Sequence, residues 1–452
     1  MRSVGLLVIA MLFLCGSVYA ERTVWYVHPD SALNTIQAGL DSCAVNDIVL
    51  VGPGTYYENI DWPNTQGIHL VSELGPDVTI VDGNSAGSVI TCTTGVDTTT
   101  NIHGFTIQSG NAWRGAGIYC RSSSPSITGN AIANNLAGGG WNPAHGGGIA
   151  CINSSPTIKN NSITDNCAQG GNTASGGGIA CDSCLSPMIA YNYIASNEAI
   201  AYSARGSAIA CGSYSSPTIT PAIIGNVITD NSGGYGTVAC CVSSGSIIDN
   251  IISGNQSHGI VCMWYSSPAI RGNTITENDQ CGIECREESS PYIDSCTISG
   301  NNSHGISCWG GGDPTVIHCN IHGNSGYGIV NTDGSVTINA EDNWWGHATG
   351  PYHPDSNTIG LGDSVSDYVD FDPWLMDSVQ GIGVDEQPIV KPVEIHETLT
   401  ATIFRGPLQL PEGKQCKVYD ITGRVVEPGK IRPGIYFIEV DGVVTQKVVK
   451  IR

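Results

Sequence analysis

The chain has 452 residues, of which only 13% are charged, and its formal net charge is −22. The charge is uneven: residues 21–375 hold seven Lys or Arg against thirty Asp or Glu, while residues 376–452 hold ten of each. An acidic surface of this kind repels polyanions, which argues against nucleic acid and anionic membranes as partners.

Residues 1–20 read as a secretory signal: Arg2 supplies the positive start, Val4 to Cys15 the apolar run, and Ser17-Val-Tyr-Ala20 a small-residue cleavage pattern. The run is too short to span a bilayer, and no later stretch is long enough, so an exported chain without a transmembrane segment is expected. Seventeen of the eighteen cysteines lie beyond the signal. That number is odd, so at least one thiol is free or pairs outside the chain.

Residues 23–82 read as the opening of a repeat array, with a capping helix at Ile36-Gln-Ala-Gly-Leu40 and a strand at Asp47-Ile-Val-Leu-Val51. A single pattern follows: Gly-Ile-x-Cys, Ser-x-Pro or Ser-Pro, x-Ile, then Asn-x-Ile-x-x-Asn. Its first two copies place Ile118, Cys120, Pro125, Ile127, Asn130, Ile132 and Asn135 at the same offsets as Ile149, Cys151, Pro156, Ile158, Asn161, Ile163 and Asn166. The copies continue through Ile179, Ile209, Val238, Ile260, Ile283, Ile306 and Ile329, at intervals of 29 to 31 residues early and 22 or 23 later. The extra early length sits between the last Asn and the next Gly-Ile, and reads as a set of long turns.

Each copy holds three short period-two alternations, which means strands, separated by Pro, Asn and Gly turn formers. Three strands and three turns per repeat predict a parallel β-helix whose coils stack about 4.8 Å apart, with like residues on like. The stacked cysteines then read as small apolar filler, because in-register Cβ vectors run alongside rather than toward each other. Cys296 and Cys319 stand in Asn positions, and Cys181 and Cys184 could bridge locally. The stretches TIQAGLDSC, DIVLVGPGTYYENI and LVSELGPDVTIVDG resemble the opening segment of pectin-lyase-like right-handed β-helix proteins. The resemblance covers roughly residues 23–375 and implies an all-β solenoid, a domain taken as 21–375.

Asn343-Trp-Trp-Gly346, Thr349-Gly-Pro351 and the stretch 363–374 resemble the closing segment of such proteins, with Trp344, Trp345 and Trp374 as a lid or, alternatively, a sugar-stacking platform. Residues 376–398 read as a linker. Residues 399–452 carry VYDITGR, RPGIYFIEV and a basic last strand, and resemble the C-terminal sorting domain of type IX secretion substrates, a small β-sandwich. That resemblance implies contact with secretion machinery and a destination outside, or on the outer surface of, a Gram-negative-type cell. An ordinary Ig-like module is the alternative.

The outward positions offer little catalytic apparatus. The position after Ile reads Tyr119, Ala150, Ala180, Ala210, Ala239, Val261, Glu284, Ser307, and the position after Cys reads Arg121, Ile152, Asp182, Gly212, Cys241, Met263, Arg286, Trp309. Neither presents carboxylates on consecutive coils, as a calcium ladder requires, so no cofactor is needed although calcium remains possible. Stacking of the early turns should gather Trp113, Arg114, Trp141, His145, Glu198, Tyr202 and Arg205, aromatic and polar groups suited to a saccharide. On later coils His258, Cys281 and His304 recur at one position and suggest a soft-metal site. The expectation is a non-catalytic surface for extracellular polysaccharide or a surface protein. The alternative is a polysaccharide lyase or glycoside hydrolase working at the early turns.

Overall fold

The computed structural model describes residues 22–140, 142–212 and 219–380, together with 402–404, 408, 410, 416–420, 426–431, 434–440 and 443–450. The expected signal, Trp141 and most of the expected linker lie outside the described residues.

The repeat folds as a stack of coils, each strand pairing in parallel with its copy above and below. Three long sheets result, of fourteen, eleven and eleven strands. The Ile-x-Cys strands form one of them, here the cysteine sheet, in which Ile118, Ile149, Ile179 and Ile209 stand in register. The strands after Ser-Pro form the fourteen-stranded sheet, and the strands between the two Asn turns form the third. Central isoleucines such as Ile127, Ile158, Ile163 and Ile275 are fully buried. Each contributes about 1.5–3 kcal/mol by leaving water.

The cysteines from Cys92 to Cys308 pair strand by strand within the cysteine sheet, and none is bridged. Cys184, which could have bridged Cys181, points its thiol at the Cys151 carbonyl instead. Cysteine therefore acts as a compact apolar filler in this core.

Two asparagine ladders close the turns. Asn161 Oδ1 accepts from the backbone N–H of Asn130 at 3.0 Å and from its side-chain amide at 3.2 Å. Asn161 in turn donates to the Ile127 carbonyl at 2.9 Å. This unit repeats through Asn192, Asn226, Asn250 and Asn273. Cys296 and Cys319 then occupy the same place, with the Cys296 N–H reaching Cys319 Sγ at 3.4 Å. Each buried amide satisfies backbone groups that a turn would otherwise leave unpaired.

The stack is closed at both ends. The helix Ile36–Asp41 is capped by Thr35, and the Glu58 carboxylate accepts from the Ile36 and Gln37 N–H groups, as suits the positive end of a helix. Ile36 and Leu40 face the first coils and are buried. At the other end Trp345 is fully buried and Trp374 packs partly against the same core. Asp363 takes over the asparagine role there, accepting from Asn324. The described parts of 402–450 form a four-stranded sheet with a small core of Val418, Ile431, Tyr436 and Ile438. Among the described residues no helix is long and apolar enough to cross a membrane.

One difference from the sequence reading matters for function. The long early turns are not irregular. They form two further parallel sheets, one of five strands from Asn111–Ala112 to Ser232–Gly233, the other of three strands, Ala144–His145, Thr173–Ser175 and Ser203–Arg205. Together they make a thin fin whose interior is alanine: Ala116, Ala137, Ala144, Ala168, Ala174, Ala199 and Ala204. A methyl group at every inward position lets the two sheets lie close, and the period-two pattern is kept with the smallest side chain that can show it.

Candidate functional site

The fin returns to the body through glycine. Gly146, Gly176 and Gly206 adopt φ near +60°, and a Cβ on Gly146 would meet the Ile149 carbonyl at 2.1 Å. Only glycine fits this left-handed, close-packed turn. The turn folds the three-stranded fin sheet back over the outward face of the cysteine sheet. Ala150, Ala180 and Ala210 are consequently buried although they point outward. Their small size reflects the fin backbone pressing on them.

In the three-stranded sheet Ala144, Ala174 and Ala204 face the alanine core, so the neighbouring residues face the other way. His145 pairs with Ser175, Ser175 with Arg205, and Arg114 bridges to His145. Arg114, His145, Ser175 and Arg205 thus form one ladder running beside the cysteine sheet. Burial and the Arg114 guanidinium hold the His145 imidazole below its ordinary range, with Asp182 pulling the other way. Its neutral form is therefore favoured near neutral pH.

At the start of this ladder lies a hollow of about 480 Å³ lined by Ser88, Ala112, Trp113, Arg114, Tyr119, Asn142 and Pro143. Trp113 is 58% exposed, and its indole Nε1 lies 3.3 Å from where a Cβ on Gly139 would stand. The bare turn of the next coil thus gives the indole a surface to lie against. Of the residues singled out from the sequence, Trp113, Arg114 and His145 come together here, and Arg205 lies further along the same ladder. Glu198 is in the five-stranded sheet, exposed on the opposite face of the fin, because its neighbour Ala199 takes the inward position. Tyr202 sits at a fin turn, 91% exposed.

The His258, Cys281 and His304 series is occupied otherwise. His258 Nδ1 accepts from the Cys281 N–H at 3.2 Å, and its Nε2 stands 3.4 Å from the Glu284 carboxylate. His304 Nδ1 accepts from the Tyr327 N–H at 2.9 Å, and the Cys281 thiol lies 3.6 Å from the Ser303 hydroxyl. Burial holds His258 below the ordinary imidazole range against the pull of Glu284. Among the described residues no three His, Cys, Asp or Glu side chains converge to hold a metal ion.

A second cluster, which position-by-position reading did not assemble, lies where the fin stops. Glu284, 8% exposed, accepts from Trp309 Nε1 at 2.7 Å as well as facing His258. Arg286 lies 5.0 Å from the Tyr235 ring and 5.4 Å from the Trp309 ring, and Arg205 lies 4.3 Å from the Trp264 ring. Its members come from four coils and from the last fin turn. The one sequence signal was the run of large residues Met263, Arg286 and Trp309 after Gly212 and Cys241 at the position after Cys.

The fold is a right-handed parallel β-helix, and the family model described as "Right handed beta helix region" matches residues 177–344. Among solved structures, the A-module of the Azotobacter vinelandii mannuronan C-5 epimerase AlgE4 is similar at 14% identity, covering 70% of this chain and 100% of its own, with a TM-score of 0.46. The A-module of the same organism's mannuronan C-5 epimerase AlgE6 is similar at 14% identity, covering 76% and 95%, with a TM-score of 0.38. The catalytic unit of a thermostable GH87 alpha-1,3-glucanase from Streptomyces thermodiastaticus is similar at 13% identity, covering 75% and 67%, with a TM-score of 0.39. No curated protein matches the sequence.

Proposed function

We propose that this chain is an exported β-helix protein that presents a saccharide-binding surface between the fin and the cysteine sheet, and that it holds its ligand without turning it over. The observation that carries this reading is the hollow at Trp113. It combines an exposed indole, the Arg114 guanidinium and the Asn142 amide, at turns flanking the fin strands, with the Tyr119 phenol, beside a neutral His145. Flat apolar faces with a few fixed polar groups suit a sugar ring. The described residues lining the hollow include no carboxylate, whereas hydrolysis of a glycosidic bond calls for two.

A glycan array, run beside a release assay on polysaccharides with and without calcium, tests the reading. A retained glycan without product is the expected result, and Trp113→Ala should weaken its binding about tenfold, the loss of one stacking face. Product release by the purified chain would overturn the binding-only reading. The His258–Glu284 pair, a buried carboxylate beside an imidazole, favours the second reading, a lyase or glycoside hydrolase.

The 399–452 region serves in this reading as an export address of the type IX sorting kind. The pairing of Cys416–Asp420 with Gly434–Val440 in one antiparallel sheet supports it. Removing 399–452 should then leave the chain inside a type IX-competent cell. Unchanged appearance of the truncated chain at the surface or in the medium would argue for an ordinary module.

A further inference from the structure

Cations are scarce in the solenoid, and most of the seven Lys or Arg in residues 21–375 already have a partner. Arg22 reaches His69, Lys159 lies over the Tyr191 ring, and Arg205 lies against Trp264. Arg271 pairs with Asp294 and stacks on Tyr292, while Arg286 faces Glu284 and the rings of Tyr235 and Trp309. Arg114 and Arg121 remain. Both are exposed, and among the described residues neither guanidinium makes a hydrogen bond, ion pair or ring contact with another side chain.

These two cations flank one aromatic hollow. Arg114 lines the hollow at Trp113, where its carbonyl accepts from the Ser88 hydroxyl at 3.3 Å. Tyr119 lines the same hollow, and Arg121 stands two residues beyond it on the same outward side of the strand Ile118–Arg121, about 7 Å along. In the register of the cysteine sheet the next carboxylates are Asp61, two coils before Tyr119, and Asp182, two coils after Arg121. Each lies about 10 Å off along the stack, where water and salt screen most of the attraction. Burial and the Arg114 charge also keep the neighbouring His145 imidazole from protonating, so the field at the hollow is positive. A region with thirty carboxylates thus leaves two cations without an internal counter-charge, and both stand at the one hollow that carries an exposed indole.

We propose that the hollow at Trp113 selects a sugar that bears an oxyanion, a carboxylate or a sulfate ester. Arg114 takes the oxyanion inside the hollow while the Trp113 indole and the Tyr119 phenol take the faces of the sugar. Arg121 reaches the substituent of the ring that follows. A planar guanidinium fork gives either oxyanion paired, charge-assisted hydrogen bonds, which a lysine in the same place would not. Neither arginine holds the fold together, since both are exposed and unpaired, so their loss should be read in binding and not in stability. The proposal rests on the saccharide-binding reading and adds the charge of the ligand to it.

The test is titration calorimetry of the full mature chain with three probes: a neutral glucan oligomer, an oligogalacturonate and a sulfated galactan oligomer. The acidity of the chain as a whole would favour the neutral probe. The expected result is the reverse: one acidic probe binds at least about tenfold tighter than the neutral one, and weakens as salt rises from about 50 to about 500 mM. Which acidic probe binds identifies the oxyanion. Arg114→Gln should weaken that binding about tenfold and Arg121→Gln several-fold, while Arg114→Lys should restore it only in part. Arg271→Gln, which removes the same charge from the fourteen-stranded sheet, should change nothing. Circular dichroism checks that each variant is folded; should Arg114→Gln not fold, Arg121→Gln serves in its place. Acidic binding that both Gln variants leave intact overturns the assignment to this hollow. Equal, salt-independent binding of all three probes overturns the oxyanion selectivity and leaves the saccharide reading standing. Binding of none overturns both.

Discussion

Asn250→Ala is expected to lower the free energy of unfolding by about 4 kcal/mol, because buried backbone and amide groups left unpaired cost about 1–3 kcal/mol each. Asn250 is fully buried and joins three coils. Its Oδ1 accepts from the Asn226 N–H and side-chain amide, both at 2.9 Å. Its Nδ2 donates to the carbonyls of Ile223 and Ile248 at 2.9 and 3.0 Å. Alanine removes all of these and fills none of the space. Asn250→Cys should cost clearly less, since Cys296 and Cys319 already fill equivalent places with Sγ as a long acceptor or donor. Urea unfolding followed by far-UV circular dichroism measures both. Equal losses for Ala and Cys would show that the sulfur makes up for neither the volume nor the hydrogen bonds of the amide.

Gly147→Val acts at the root of the fin and should destabilise by about 3 kcal/mol, the upper range for overpacking. A Cβ there would stand 2.5 Å from the Gly177 carbonyl and 2.6 Å from the backbone N and O of Cys167. Backbone on both sides cannot yield as a side chain would. Fin strands must separate or the fin must swing away from the cysteine sheet. Limited proteolysis should then cut between 136 and 145, and the hollow at Trp113 should lose its ligand. A variant that resists protease and unfolds at the unchanged denaturant midpoint would mean that the fin root is looser than its geometry.

The body of the fold was legible because its repeat uses residues with strong individual meanings. Ile in alternation, Pro after Ser and Asn at fixed offsets each predict the same coil, and the structure places them accordingly. The capping helix read at Ile36-Gln-Ala-Gly-Leu40 forms over Ile36–Asp41. The fin was not legible, although Ala137, Ala168 and Ala199 recur as regularly as any isoleucine. Alanine is weakly favoured in strands and weakly apolar, so its alternation between Leu136 and Gly138, or Glu198 and Ile200, carries little signal. The run of Ala150, Ala180 and Ala210 read as a bland surface, whereas it marks where another backbone lies. Trp113, Arg114 and His145 could be gathered from the early turns because stacking alone brings them together. The cluster around Glu284 and Arg286 could not, since it depends on the fin ending at Tyr235 and on a change of coil length just beyond it. Neither fact belongs to a single repeat.

That change of coil length has a consequence for how the chain finds its fold. A ladder of like on like is nearly indifferent to slipping by a whole coil: Ile would still meet Ile, and Asn would still meet Asn. Misaligned stacks are therefore the natural competitors of the native one. The drop from 29 to 22 residues between Val238 and Ile260, and the two sulfurs standing among the amides at Cys296 and Cys319, break this degeneracy. A slipped stack would have to splice a finned coil onto an unfinned one, or set an amide where a thiol belongs. These irregular coils act as index marks, and they give an otherwise periodic chain a single alignment.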